Sequence, residues 1–171
     1  HAPGDATANQ FYADLDQRFG RLAELGATVA LTADHGMGDK SNPDGSPCVI
    51  WLQDILDAAL GAGRSTVICP ITDAFVGHHG ALGGFVRVYC NDGLAPEPIL
   101  GAVAELPGVA KAWLADDAAR ELQQPIDREG DVAVMGDEKT VIGSRAEDHD
   151  LSALRGHRLR THGSLFEANV P

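Results

Sequence analysis

Apolar residues recur at near-helical spacing over Ala6–Leu25, where Phe11, Tyr12, Leu15, Phe19, Leu22 and Leu25 fall on one side and Gly26 ends the run. The β-branched and apolar run Thr28–Ala33 predicts a buried strand, and the polar stretch Gly36–Pro47 predicts a loop. Val49–Leu60 reads as a helix or strand-to-helix segment with Ile50, Trp51, Ile55, Leu56, Ala59 and Leu60 inward, closed by Gly61 and Gly63. Thr66–Ile71 predicts a second buried strand. Thr72–Gly84 predicts a loop with two histidines and four glycines. Phe85–Cys90 alternates, Val86, Val88 and Cys90 against Phe85, Arg87 and Tyr89, as a strand with one face buried does. A helix over Pro96–Leu106, a strand over Val109–Leu114 and a short helix over Ala115–Gln124 follow. Asp131–Met135 and Thr140–Ile142 predict a hairpin across Gly136–Lys139, and His149–Arg160 has no regular period.

Strands alternating with helices predict an α/β fold. The abundance of Gly and Ala suits helices packed closely on a sheet, and 171 residues suffice for one domain with a real core. The net charge of −12 and pI near 4.8 argue against nucleic acid or an anionic membrane as the main partner. Cys48, Cys69 and Cys90 are odd in number and widely spaced, with no CxxC, so neither a disulfide framework nor a thiolate metal site is indicated. A reduced, cytoplasmic setting is the expectation. No apolar run reaches membrane-spanning length. The chain begins at His1 without Met and stops at Asn169-Val170-Pro171 on what reads as a strand entry, so a piece of a larger protein is expected.

Candidate chemistry centres on Thr28–Met37. Asp34 and His35 follow directly on the predicted strand, and ligands of open parallel sheets bind beyond the carboxyl ends of strands. A carboxylate and an imidazole side by side there suit a cation such as zinc, although a turn Asp beside a chance His has the same appearance. His162-Gly163 repeats the His-Gly pattern far downstream, and His78-His79-Gly80 carries it a third time.

Thr32-Ala33-Asp34-His35-Gly36-Met37 resembles a metal motif of the alkaline phosphatase superfamily, and His162-Gly163 is similar to that superfamily's late His-Gly ligand. Cys69-Pro70-Ile71-Thr72-Asp73, His78-His79-Gly80-Ala81-Leu82-Gly83, His149-Asp150-Leu151-Ser152 and Leu159-Arg160-Thr161-His162-Gly163 together resemble the phosphonoacetate hydrolase family within it. The resemblance runs over nearly the whole chain. It implies an alkaline-phosphatase-like three-layer αβα sandwich, here a partial sheet, with residues 1–171 as the C-terminal portion and an inserted, cap-like α+β subregion over about residues 72–130.

The resemblance also implies two zinc ions, with Asp34 and His35 on the ion that holds a Thr nucleophile and His162 on the other. It places the nucleophile and the remaining ligands upstream of His1, so that no catalytic residue is expected in this chain and the chain alone is expected to be inactive. The implied reaction is hydrolysis of the carbon–phosphorus bond of phosphonoacetate to acetate and phosphate. His78 and His79 are candidates to donate to the substrate's phosphonate or carboxylate, or else a packing pair that supports ligands from behind. His149 and His157 read as structural. The partner expected is a small phosphonate, with a homodimer left open. Two other readings stand beside this one: a nucleotide pyrophosphatase/phosphodiesterase of the same superfamily, and a non-catalytic structural piece.

Overall fold

A computed structural model describes residues 4–33, 35–70, 80–154 and 156–162. The chain divides into two compact units, one ending at His35 and one beginning at Gly36.

The first unit is built on helix α1, Ala6–Glu24. Its end follows from Gly26, which takes φ of +81°. The Gly26 N–H then reaches the Ala23 carbonyl at 2.9 Å and the Ala27 N–H the Leu22 carbonyl at 3.1 Å, so the last turn is closed by a left-handed glycine cap. The helix matches its expected span, but none of its residues is buried within the described structure. The strand expected over Thr28–Ala33 does not form: residues 28–33 carry no ladder, and Leu31 is 75% exposed. Apolar content marks a segment fit for burial. A strand needs in addition a neighbour to take its peptide groups, and none of the described residues supplies one here.

The described residues of the second unit form three sheets. Strands β1 (Met37–Asp39) and β8 (Arg160–His162) form an antiparallel pair, and β2 (Val49–Trp51) and β7 (Val141–Gly143) a parallel one. The largest sheet has the order β3-β4-β6-β5 and is antiparallel throughout, from β3 (Ser65–Ile68), β4 (Phe85–Cys90), β5 (Val109–Leu114) and β6 (Val132–Gly136). Helices α2 (Leu52–Leu60) and α3 (Pro96–Val103) cover one face of this sheet. Leu52, Leu56, Ile99 and Val103 meet Val67, Val86, Val88, Val132 and Val134 there, all buried. Helix α4 (Ala115–Leu122) covers the other face, its Ala118 packed with Trp113, Ala133 and Met135. The fold is thus mixed α/β with open sheets, and within this unit helices lie on both faces of the central sheet.

Two loop expectations are corrected. β1 lies inside the stretch expected to be wholly loop, and Ser41 and Pro47 form a further bridge within it. Met-Gly-Asp has no strand pattern of its own; a partner strand from the far end of the chain makes it one. The expected hairpin between Asp131–Met135 and Thr140–Ile142 does not form either. β6 already has β4 on one edge and β5 on the other, so no edge remains for β7, which pairs with β2 instead. The Asp137 turn, in which its carboxylate accepts the Lys139 N–H at 2.9 Å, carries the chain from one sheet to the next.

β2 runs into α2 without a loop, and the junction is tight. In the parallel register Trp51 stands opposite Gly143. A Cβ on Gly143 would lie 2.5 Å from the Trp51 ring and 2.9 Å from Leu82 Cδ2. At such distances the indole or the buried Leu82 must shift, so Gly143→Ala is expected to destabilise the protein by about 1–3 kcal/mol, the usual range for overpacking a filled core. A lowered urea midpoint with an unchanged slope is the expected readout, and an unchanged midpoint would show that the junction yields.

Candidate functional site

The β1–β8 ladder is the frame on which the candidate residues of the second unit stand. Its register pairs Met37 with His162, Gly38 with Thr161 and Asp39 with Arg160. Backbone pairing continues past the strands, with the Lys40 N–H donating to the Leu159 carbonyl at 2.8 Å. The Leu159 N–H in turn donates to Ser41 Oγ at 2.8 Å. Arg158 ties the same corner, its Nε 2.6 Å from the Asp39 carboxylate and its Nη2 3.3 Å from the Ser41 carbonyl. Partial burial pushes the Asp39 carboxyl up, but the bond to Arg158, that residue's charge and two bonds from Ser41 more than offset it and hold the group below the ordinary Asp range. Lys40 is fully buried and its ammonium donates to the Glu138 carbonyl at 2.5 Å. Arg158, although exposed, thus has a defined partner across the ladder.

His162, half-buried, is the last residue of β8. Its Nδ1 lies 3.3 Å from Thr161 Oγ1, and that hydroxyl lies 3.4 Å from the Leu82 carbonyl. His35 closes the first unit, two residues before Met37 in the chain. Asp34, His78 and His79 lie outside the described residues. Among the described residues, no three His, Cys, Asp or Glu side chains are gathered closely enough to hold a metal ion.

Gly80–Gly84, which follows the His78-His79 pair, is fastened along its length. The Gly80 carbonyl meets His149 Nδ1 at 2.7 Å. The Gly83 carbonyl takes the Ile142 N–H and the Gly84 carbonyl the Gly136 N–H, each at 2.8 Å. Gly80 is required here: its φ is +62°, and a Cβ would come within 2.5 Å of Leu151 Cδ2. His149 bridges outward from this strip. Its Nε2 accepts the Ser144 N–H at 3.0 Å and lies 3.1 Å from Ser144 Oγ, while its ring sits 5.4 Å from that of Trp51. A backbone N–H on Nε2 and a carbonyl on Nδ1 fix the neutral ring with its proton on Nδ1. His149 is therefore a strut between segments, in line with its structural reading. Thr161, Ser144 and Trp51 were not legible as parts of this frame, because their importance lies in what they touch and not in any motif.

Cys48, Cys69 and Cys90 are free thiols. Burial pushes the Cys69 thiol up, and desolvation together with the adjacent Asp131 carboxylate pushes Cys90 up to about 11. Both are thereby held as weak nucleophiles and weak metal ligands at neutral pH. No described helix is long and apolar enough to cross a membrane.

No protein-family model matches the chain. Solved structures do. The phosphonoacetate hydrolase of Sinorhizobium meliloti 1021 in complex with phosphonoformate is 42% identical, matches over 96% of this chain and superposes with a TM-score of 0.87. The same enzyme in complex with phosphonoacetate gives a TM-score of 0.86 at the same identity and coverage. Human ectonucleotide pyrophosphatase/phosphodiesterase 5 shares the fold at 18% identity over 95% of this chain, with a TM-score of 0.56. The chain spans 40% of the length of the bacterial enzyme. An identity of 42% maintained over almost every residue, together with so close a superposition, makes this chain a structural homologue of phosphonoacetate hydrolase across that part of the enzyme.

Proposed function

We propose that the chain is part of a dizinc hydrolase that cleaves phosphonoacetate to acetate and phosphate. The observation that carries the reading is its 42% identity, over 96% of its length, to an enzyme solved with phosphonoacetate bound. In the reaction the carbon–phosphorus bond breaks, a phosphorus–oxygen bond forms with oxygen that derives ultimately from water, and a proton goes to the departing carbon.

The donors fit zinc: Asp34 offers a carboxylate oxygen, and His35 and His162 offer imidazole nitrogens. Fewer than the full set for two ions, they would act with further ligands and a Thr nucleophile from elsewhere in the intact enzyme. Bound zinc would supply positive charge against a dianionic phosphonate and lower the pKa of an attacking hydroxyl. The chain's own contribution is positional. β1 and β8 hold the Met37–Asp39 segment after the Asp34-His35 pair against the strand that ends in His162. His78 and His79 are proposed to donate to the substrate's phosphonate or carboxylate, and about residues 72–130 to form the cap-like subregion.

The test is the release of phosphate by the intact enzyme. Turnover of phosphonoacetate without turnover of a nitrophenyl nucleotide ester is expected. The reverse pattern would replace this reading with a nucleotide phosphodiesterase, and zinc-independent turnover of either would remove the dizinc assignment.

A further inference from the structure

Thr161 is 3% exposed, and its hydroxyl has two polar neighbours of different kind. One is the carbonyl of Leu82, a fully buried residue, at 3.4 Å; the other is His162 Nδ1 at 3.3 Å. A carbonyl can only accept, and a buried one requires a donor. The single hydroxyl proton of Thr161 is therefore committed to Leu82. Toward His162 the same oxygen offers only lone pairs, so the imidazole nitrogen facing it must carry the proton.

From this geometry we infer that Thr161 is a positioning residue that fixes His162 with its proton on Nδ1 and its lone pair on Nε2, the nitrogen that would hold zinc. The inference rests on the metal reading for His162 and extends it to the residue behind the ligand. The backbone reinforces the arrangement. Thr161 is locked opposite Gly38 in the ladder, and Leu82 lies in the strip whose neighbouring carbonyls, Gly83 and Gly84, are pinned by Ile142 and Gly136. The hydroxyl therefore sits between two fixed points. A side chain of the same shape without the hydroxyl would fill the space and lose both the donor to Leu82 and the acceptor for His162. Polar groups behind a metal-bound histidine typically account for 10- to 100-fold in metal affinity.

The experiment uses the intact enzyme with Thr161→Val and Thr161→Ser. Zinc affinity is measured by competition with a chelator. The His162 tautomer is read in the metal-free protein from long-range nitrogen–proton couplings in histidine-labelled samples. The expected result is a wild-type ring protonated on Nδ1, zinc bound 10- to 100-fold more weakly by Thr161→Val, and recovery in Thr161→Ser. If the wild-type ring carries its proton on Nε2, or if Thr161→Val binds zinc as tightly as the wild type, the role given to Thr161 is overturned while the zinc site stands. Should the wild type itself bind no zinc, the metal reading fails and this inference with it. The tautomer measurement needs no folded valine variant, so a collapse of that variant leaves a decisive outcome in hand.

Discussion

His162→Ala in the intact enzyme is expected to lower zinc content by one of two equivalents and phosphate release from phosphonoacetate by about 1,000-fold or more. The magnitude follows from chemistry. A bound metal supplies several kcal/mol of transition-state stabilisation, and each 1.36 kcal/mol is tenfold in rate. Asp34→Ala is expected to act in the same direction, through loss of a carboxylate from the proposed site. His157→Ala is the matched control: it removes an exposed imidazole whose backbone N–H merely closes a turn on the Leu154 carbonyl at 2.9 Å. Zinc unchanged by elemental analysis in both His162→Ala and Asp34→Ala would remove these residues from the ligand set. Equal losses in all three variants would point to general destabilisation instead.

Gln53→Ala is expected to cost about 2–6 kcal/mol of stability, the sum of two orphaned buried peptide groups at roughly 1–3 kcal/mol each. β3 ends the order β3-β4-β6-β5, so among the described residues one of its edges has no strand beside it. The carboxamide of Gln53, projecting from α2, fills that place. Its Oε1 accepts the Val67 N–H at 2.8 Å and its Nε2 donates to the Ser65 carbonyl at 3.1 Å. It thus imitates the peptide of a missing neighbour at the alternate residues that point away from β4. Nε2 also donates to Asp57 at 2.9 Å, which holds the amide in this orientation. Chemical denaturation of Gln53→Ala, with Gln53→Glu alongside, measures the effect. Glutamate keeps the acceptor for Val67 but sets a buried carboxylate against the Ser65 carbonyl and the Asp57 carboxylate, so at neutral pH a loss at least as large as that of alanine is expected. A Gln53→Ala midpoint within error of the wild type would mean that water replaces the amide at no cost. Because an unmasked edge invites pairing with other chains, the alanine variant is also expected to aggregate sooner on heating.

The elements that the sequence made legible are those whose pattern and partner are both local. Phe85–Cys90 was readable because its alternation matches what the sheet does, with Val86 and Val88 inward under α2 and α3. The α1 span was readable from its spacing and from Gly26, which caps it. The misreadings share one cause. Met37–Asp39 is a strand only because residues 160–162 arrive beside it, and Thr140–Ile142 leaves its neighbour in sequence because β6 has no open edge. Thr28–Ala33 has strand composition and no partner among the described residues. Pairing of this kind is a property of topology, and periodicity carries none of it. The candidate site divides the same way. Asp34-His35 and His162 stood out as motifs, whereas Thr161 behind His162 and His149 behind Gly80 acquire meaning only from hydrogen bonds across the fold.

The β1–β8 ladder has a kinetic consequence. It joins two three-residue segments from opposite ends of the second unit, and three rungs return little against the entropy of closing so long a loop. The contacts of the β3-β4-β6-β5 sheet and its helices span shorter stretches of chain and bury far more apolar surface. Folding therefore condenses around that sheet first and zips the ladder last, and local opening reverses the order. His162 belongs to this late-closing ladder, on the rung it shares with Met37. Amide hydrogens of β1 and β8 should accordingly exchange faster than those of β4 and β6, and a ligand that grips the end of β8 would slow them.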